Sequence, residues 1–169
     1  MTIVVTAGSA SANAYISLPD CDDYHSARGN ATWTGDDEDK EAAIIRAAQA
    51  LDGRYRHRFT GYKATKAQAM AWPRKDAVDA DDYDFEDDEI PPNLISANAE
   101  AALLELVTPG ILAPTYTKGV RSKIEKVDVI SESTTYGSEY KGSDSYATIE
   151  NLMNDIISVS GFEVPIARA

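Results

Sequence analysis

A helical repeat between residues 36 and 55 constrains this chain more than any other feature. Its apolar residues recur at spacings of three and four: Ile44, Ala48, Leu51 and Tyr55, with Ile45 beside them. Asp36 is placed to cap the helix, and the acidic residues 37–39 suit its first turn, where unpaired N–H groups and the macrodipole favour negative charge. The pattern predicts a core-facing helix that ends at Gly53.

A Trp-Pro pair closes the segment that follows. A shorter helix is predicted over residues 65–72, because Pro73 disfavours α geometry at Trp72 and has no N–H to continue the ladder. We expect these two helices to form a hairpin. Trp33 lies in the loop before the first of these helices and is expected to cover the top of the hairpin.

Three more helices are predicted. Ser17 and Pro19 start the first, which runs from Leu18 to about residue 28; Pro91 and Pro92 open the longest, which stops at residues 108–110; the last covers residues 146–157. Residues 118–145 show alternation and then a Ser/Thr/Gly/Tyr-rich stretch, which favours a β-hairpin or a long arm.

The fold class predicted is mainly α: a small helical bundle with an extended or β-hairpin arm, a C-terminal helix and a tail. We divide the chain into residues 1–113, a helical core with an N-terminal arm, and residues 114–169, an extended arm, the last helix and a docking tail. The longest helix carries two adjacent apolar stripes, which are Leu94, Ala97, Ala101 and Leu104, and Ile95, Ala99, Ala102 and Leu106. Such a helix is central in a bundle or also packs against another subunit.

Charge restricts the function. The formal net charge of −12 argues against a general affinity for nucleic-acid phosphate, which depends on clustered Lys and Arg. Nine acidic residues and no basic ones lie in residues 76–89, the acidic loop, which we expect to be solvated. It fails the calcium-loop pattern, because Asp87 and Asn93 stand where Gly and Glu are needed.

The sequence offers little for catalysis or membrane binding. Cys21 and His25 lie four residues apart, but no suitable third ligand is near. The phosphate-loop, Gly-x-Ser-x-Gly and His-Glu-x-x-His motifs are missing. A single cysteine excludes an intrachain disulfide, and no apolar run approaches a membrane span. We therefore expect a soluble cytoplasmic product that is not an enzyme, with no catalytic residue, metal, cofactor or membrane partner.

Two further segments are candidate contact sites. Basic and aromatic residues alternate along one of them: Arg54, Tyr55, Arg56, Arg58 and Phe59. This alternation leans towards an extended backbone, and it suits single-stranded nucleic acid, since bases stack on rings while Arg binds phosphate. Alternatively these charges pair with the acidic loop or an acidic partner subunit, which the net charge favours.

The C-terminal tail is the second contact segment. Its apolar groups and one arginine have no core of their own, which makes them candidates for docking on a portal protein or a neighbouring subunit: Phe162, Val164, Pro165, Ile166 and Arg168.

Several of these segments together resemble a known family. Their order along the chain is AYISLPDCDDYHSARG, a tryptophan loop, DDEDKEAAIIRAAQALDGRY, QAMAWPR and IPPNLISANAEAALLEL. Over about residues 14–106 this order is similar to the head-to-tail connector proteins of tailed phages, also called adaptors or head completion proteins. Members with the Ala-Trp-Pro-Arg signature are often labelled DnaT-like single-stranded-DNA-binding proteins. The chain departs from the family in its long acidic loop and after Thr115, where only the general shape matches.

The resemblance implies a structural virion protein without catalysis. Such proteins form a ring, usually twelve-fold, beneath the portal protein and above the tail or the next connector, and DNA passes through the middle. It implies a location in the neck of the virion after assembly in the cytoplasm of the bacterial host. An acidic lumen suits passing DNA, because it offers no phosphate neutralisation.

Overall fold

The computed structural model describes residues 2–113, 123–127, 130–134 and 146–157. Within them the order of elements is α1 (Leu18–Ala27), α2 (Asp37–Tyr55), β1 (Tyr62–Lys63), β2 (Arg74–Lys75), α3 (Pro92–Val107), β3 (Lys123–Val127), β4 (Ile130–Thr134) and α4 (Ala147–Met153). The protein is mainly helical, with a two-stranded antiparallel hairpin in β3 and β4, so the predicted fold class is confirmed.

The core forms where α2 packs on α3. α4 also packs on α3, and α1 contacts both α2 and α3. The predicted face of α2 is buried, with Ile44 at 0% and Leu51 at 3% exposure. Asn98 of α3 lies inside this core, where its Oδ1 accepts from the Tyr15 N–H at 3.0 Å and its Nδ2 donates to the Ile44 carbonyl at 3.1 Å. A polar side chain therefore fixes α3 against α2 and the N-terminal segment.

The helix boundaries follow local signals closely but not everywhere. Ser17 caps α1 as predicted, its Oγ accepting from the Asp20 N–H at 3.3 Å. Asp36 occupies the N-cap position of α2 without a capping bond from its side chain. The predicted end at Gly53 is wrong, because α2 continues to Tyr55, whose ring is 2% exposed and anchors the last turn.

The predicted helix over residues 65–72 is wrong, and so is the helical hairpin. These residues form turns between β1 and β2, which pair antiparallel with Tyr62 opposite Lys75 and Lys63 opposite Arg74. The backbone bonds to side chains instead, and the Trp72–Pro73 peptide is cis.

Trp33 does lie in the loop before α2, but it packs on α1. Its ring stacks at 34° on that of His25, with 4.6 Å between centroids, and its Nε1 donates to Asp22 Oδ1 at 2.6 Å. The extended backbone favoured for residues 54–59 is also only partly observed. Arg54 and Tyr55 are helical, residues 56–58 turn, and Phe59 pairs with Ile157 in an isolated bridge.

The N-terminal segment folds back on its own molecule. Asn13 donates its N–H to the Val4 carbonyl at 2.9 Å, while its Oδ1 accepts from the Val4 N–H at 2.8 Å. The Ala69 N–H donates to the Ser9 carbonyl at 3.1 Å, which ties this segment to the turns before Pro73.

The described residues contain two compact units. α4 packs with the helices of residues 2–113, and the β3–β4 hairpin belongs to the other unit, with Lys123 opposite Thr134 and Val127 opposite Ile130. The division of the chain at residue 114 stays a prediction. Across the described ranges, every helix is too short or too polar to cross a bilayer.

Candidate interaction surface

The Trp-Pro-Arg signature is part of the core. Trp72 is 1% exposed and meets two rings edge-on, Phe59 at 5.8 Å and Phe85 at 5.3 Å between centroids. Its Nε1 is buried, and no acceptor in the described part of the chain reaches it. We call residues 60–75 the signature loop, and Trp72 is one of its buried side chains.

Arg74 also acts inside the fold. Its guanidinium donates to three carbonyls of the signature loop and its surroundings: Thr60 at 2.6 Å, Gly61 at 2.6 Å and Ala71 at 3.3 Å. Burial lowers the pKa of Arg74 from its ordinary value, while the nearby Tyr15 and Asp52 raise it. The planar fork of an arginine suits several carbonyls at once. This guanidinium holds the loop and is not presented to a partner.

Gln68 completes the internal bonding of the loop. Its Nε2 donates to the carbonyls of Met70 at 3.1 Å and Pro73 at 2.9 Å, and its Oε1 accepts from the Thr65 N–H at 2.8 Å. Lys63 Nζ donates to the Gln68 carbonyl at 2.8 Å. A loop with almost no regular structure is thereby fixed by side-chain bonds to its backbone.

Tyr15 and Asp52 join this loop to the rest of the core. The Tyr15 hydroxyl donates to Asp52, and it accepts from the Ala71 N–H at 3.1 Å. Asp52 Oδ2 accepts from the same Ala71 N–H at 2.8 Å. Burial raises the pKa of Asp52, although its hydrogen bonds and the positive charges of Arg56 and Lys63 lower it. Arg56 and Lys63 are thus both close to one carboxylate, on the same side of the molecule.

A basic surface runs from the end of α2 into the signature loop. We call it the basic ridge, and its members are Arg54, Arg56, His57, Arg58, Lys63 and Lys66. All of them except half-buried Lys63 are exposed, and the neighbouring Tyr62 is 56% exposed. The end of α2 and the signature loop therefore present positive charge at the surface.

The residues predicted to contact nucleic acid divide between this ridge and the core. Arg54, Arg56 and Arg58 belong to the ridge, but Arg54 also pairs with Glu150 at 2.7 Å. Tyr55 and Phe59 are 2% and 6% exposed, so neither ring face is open to a base. The exposed aromatic residue of this segment is Tyr62, which the alternating pattern did not separate from the buried two.

The acidic loop carries its charge on the outside, as predicted. Phe85 fastens it to Trp72, and the Phe85 N–H donates to the Ala77 carbonyl at 2.9 Å. Asp79 shapes it by accepting from the N–H groups of Asp81 and Tyr83, both at 2.9 Å. Among the described residues, Asp87 is the one loop carboxylate within ion-pair distance of a cation, Lys75 at 3.2 Å.

A third surface is apolar and belongs to α3. The helix buries its alanines, Ala97, Ala99, Ala101 and Ala102. Apart from Leu94, its larger aliphatic side chains are less covered: Ile95, Leu103, Leu104 and Leu106 are half-buried, and Val107 is 62% exposed. Small residues face the core of this molecule and large ones lie at its edge.

The Cys21–His25 pair has a structural explanation. Burial raises the pKa of the Cys21 thiol to about 12, which removes its nucleophilic form near neutral pH. His25 donates from Nε2 to the Ala99 carbonyl at 3.1 Å and accepts at Nδ1 from Asn30 at 3.0 Å. No cluster of three or more metal-ligand side chains occurs in the described ranges.

The predicted docking residues Phe162, Val164, Pro165, Ile166 and Arg168 lie outside those ranges.

Comparisons with curated proteins and with solved structures found no match. A family model described as "Putative DnaT-like ssDNA binding protein" does match, over residues 1–169. This match confirms the DnaT-like label in the sequence resemblance, and the connector role stays a prediction. Because the match extends over the whole chain, the protein is a member of this DnaT-like family.

Proposed function

We propose that this protein is a structural head-to-tail adaptor of a tailed phage. In this proposal, copies assemble without catalysis into a ring between the portal protein and the tail or next connector, and DNA passes through. The protein then resides in the virion neck after assembly in the host cytoplasm. The resemblance over residues 14–106 supports this role, and its segments supply α1, α2, α3 and the signature loop.

The observation that carries the proposal is the incomplete burial of α3. A helix that turns alanines to its own core and leaves Leu103, Leu106 and Val107 at the edge has apolar area for a second packing partner. A subunit of a ring needs such area, because each copy contacts two neighbours.

Particle mass in solution tests the proposal. The protein is measured alone and with portal protein, over a range of concentrations, by light scattering. Assembly into a particle larger than one chain, or a stable complex with portal protein, is the expected result. A compact monomer that ignores portal protein at high concentration contradicts it.

A matched pair of variants locates the contact. Val107→Glu places a charge on the apolar edge of α3 and is expected to weaken assembly by about tenfold or more, because the charge is desolvated at the contact. Val5→Glu is the control, since Val5 is a 40% exposed apolar residue of the N-terminal segment. Equal loss in both variants contradicts a role for α3.

The C-terminal tail is proposed as the portal-docking segment. Truncation after Gly161 removes Phe162, Val164, Pro165, Ile166 and Arg168 and is expected to leave the helical unit folded while ring formation or portal attachment fails. Far-UV circular dichroism reports the fold, and particle mass reports attachment. Unchanged assembly of the truncated protein contradicts this assignment.

Single-stranded-DNA binding is the second candidate, favoured by the exposed Tyr62 beside the basic ridge and by the family description. The burial of Tyr55 and Phe59 and the net charge of −12 place it second. A salt titration on labelled single strands separates the two functions. Steep weakening of a tight complex with salt favours DNA binding, whereas the adaptor function expects little binding above the lowest salt.

A further inference from the structure

We propose that the basic ridge of one copy binds the acidic loop of a second copy of this chain. The inference rests on the proposed function, because it assigns two surfaces to the contact between neighbouring subunits. The basic ridge is a defined surface: Arg56 closes α2 through its N–H to the Asp52 carbonyl at 3.1 Å, and Lys63 lies in β1.

Residues outside the ridge hold its backbone in place. The buried Arg74 and Gln68 fix the signature loop from inside, and the bridge between Phe59 and Ile157 fixes the turn at residues 56–58. A backbone that is already fixed has little further freedom to lose when a partner binds, so the ordering cost is limited to the side chains. Arg56 and Lys66 are exposed on this fixed backbone.

The acidic loop is the complementary surface. Phe85 anchors it on Trp72, while Asp81, Asp84 and Glu86 are exposed, and over the described ranges none of these three carboxylates has a cation within 4.0 Å. Each surface also shows one open tyrosine, Tyr62 at 56% and Tyr83 at 72% exposure. Tyrosine is enriched at protein interfaces, since it adds apolar area and a hydrogen-bonding group.

A second copy fits the ridge better than a nucleic acid does. The acidic loop is joined to the signature loop, which carries Lys63 and Lys66 of the ridge, by the Thr60 hydroxyl donating to the Val78 carbonyl at 2.8 Å and by the Lys75–Asp87 pair. A phosphate chain at the ridge is therefore opposed by the negative charge of this adjoining loop and by a net charge of −12. A second copy offers an acidic loop to the ridge and a basic ridge to the acidic loop, so each surface meets the opposite charge.

Charge reversal tests the contact. The ridge variant carries Arg56→Glu and Lys66→Glu, and the loop variant carries Asp81→Lys and Asp84→Lys. Each alone is expected to raise the concentration for half-association by about tenfold or more, because like charges then oppose each other. An equimolar mixture of the two is expected to restore association, and wild-type association is expected to weaken with salt. Sedimentation velocity measures all three results, and thermal unfolding confirms that each variant is folded.

A third variant separates contact from net charge. Asp37→Lys with Asp39→Lys changes the charge as much as the loop variant does, at exposed positions in the first turn of α2. It is expected to associate like wild type. The proposal is overturned if this control loses as much association, if the mixture is no stronger than its components, or if ridge reversal abolishes binding of a labelled single strand and leaves self-association unchanged.

The same experiment distinguishes this proposal from the proposed function. Variants with reversed charge that still form full-size particles with portal protein overturn the ridge-to-loop contact and leave the adaptor function standing. A wild-type protein that stays monomeric and ignores portal protein overturns both.

Discussion

The signature loop and the acidic loop are neighbours in sequence and use polar residues in opposite ways. In the signature loop, Arg74 and Gln68 are buried and their polar groups bond to backbone carbonyls and an N–H. In the acidic loop, Asp81, Asp82 and Asp84 are exposed and, among the described residues, have no cation within ion-pair distance. Arg74 and Gln68 thus stabilise the fold, whereas Asp81, Asp82 and Asp84 remain accessible.

The difference shows that burial and bonding decide what a polar residue does. The family signature combines an aromatic and a basic residue, the two residue types that bind single-stranded nucleic acid. Its tryptophan and arginine are nevertheless both buried, at 1% and 8% exposure. Residues that carry a family resemblance thus report the fold first, and the contact surface is formed by less distinctive neighbours.

The substitution of Trp72 is expected to have the largest effect on stability and tests the difference between the two loops. Trp72→Ala is expected to lower the free energy of unfolding by about 3–5 kcal/mol, because it leaves a cavity between Phe59 and Phe85. Urea denaturation measures the change. Tyr83→Ala in the acidic loop is the control, expected within about 0.5 kcal/mol, since Tyr83 is 72% exposed. Similar losses in the two variants would show that both loops carry folding stability.

Two glycines, one in the signature loop and one in α2, test the backbone. Gly61 has φ +60°, and a Cβ there would lie 2.1 Å from the Lys75 carbonyl oxygen, so Gly61→Ala is expected to cost about 2 kcal/mol or more. Gly53 is helical and exposed, and a Cβ added there would meet no atom within 4 Å, so Gly53→Ala is expected to gain about 0.5–1 kcal/mol. Thermal unfolding reports both signs, and a gain at Gly61 contradicts the described turn.

The sequence predicts α1, α2 and α3 well because their signals are local. Ser17 with Pro19, the spacing from Ile44 to Tyr55, and Pro92 each act within a few residues of the structure they determine. The helix predicted over residues 65–72 fails for the opposite reason. Its backbone bonds to Tyr15 and Asp52, partners far away in sequence that no local pattern contains.

The surface is less predictable than the helices. Tyr55, Phe59 and Tyr62 have similar neighbours in the sequence, and only the fold separates them. Phe59 is covered where it pairs with Ile157 and meets Trp72, while Tyr62 stands outside at the start of β1. A basic-aromatic pattern predicts that a contact surface exists in this region, and it does not identify which ring is open.

The buried His25 extends the comparison to pH. Burial lowers the pKa of His25 below its ordinary value, so the folded state binds its proton less readily than the unfolded state does. Stability from His25 is therefore complete above the unfolded pKa of about 6.5 and is lost as pH falls below it, by at most about 1.4 kcal/mol per pH unit. Burial raises the pKa of Asp52, so this group changes the stability with pH in the opposite direction to His25. The contribution of His25 is therefore isolated by comparing wild type with a variant.

His25→Gln is that variant. Urea denaturation between pH 7.5 and pH 5 is expected to show a smaller loss of stability in His25→Gln than in wild type. An equal slope in wild type and His25→Gln contradicts the role of burial.

The smallest effect on stability is expected for an ion pair whose side chains are neither buried nor fully exposed. Arg54 and Glu150 pair at 2.7 Å, and each side chain is 35% exposed. Solvent screens such a pair and its side chains lose freedom, so a double-mutant cycle with Arg54→Ala and Glu150→Ala is expected to give a coupling of about 0.5 kcal/mol. A coupling above about 2 kcal/mol would show that the basic ridge is part of the folding framework between α2 and α4. A small value would show that the charge of Arg54 contributes little to the fold, as we expect for a charge at the surface.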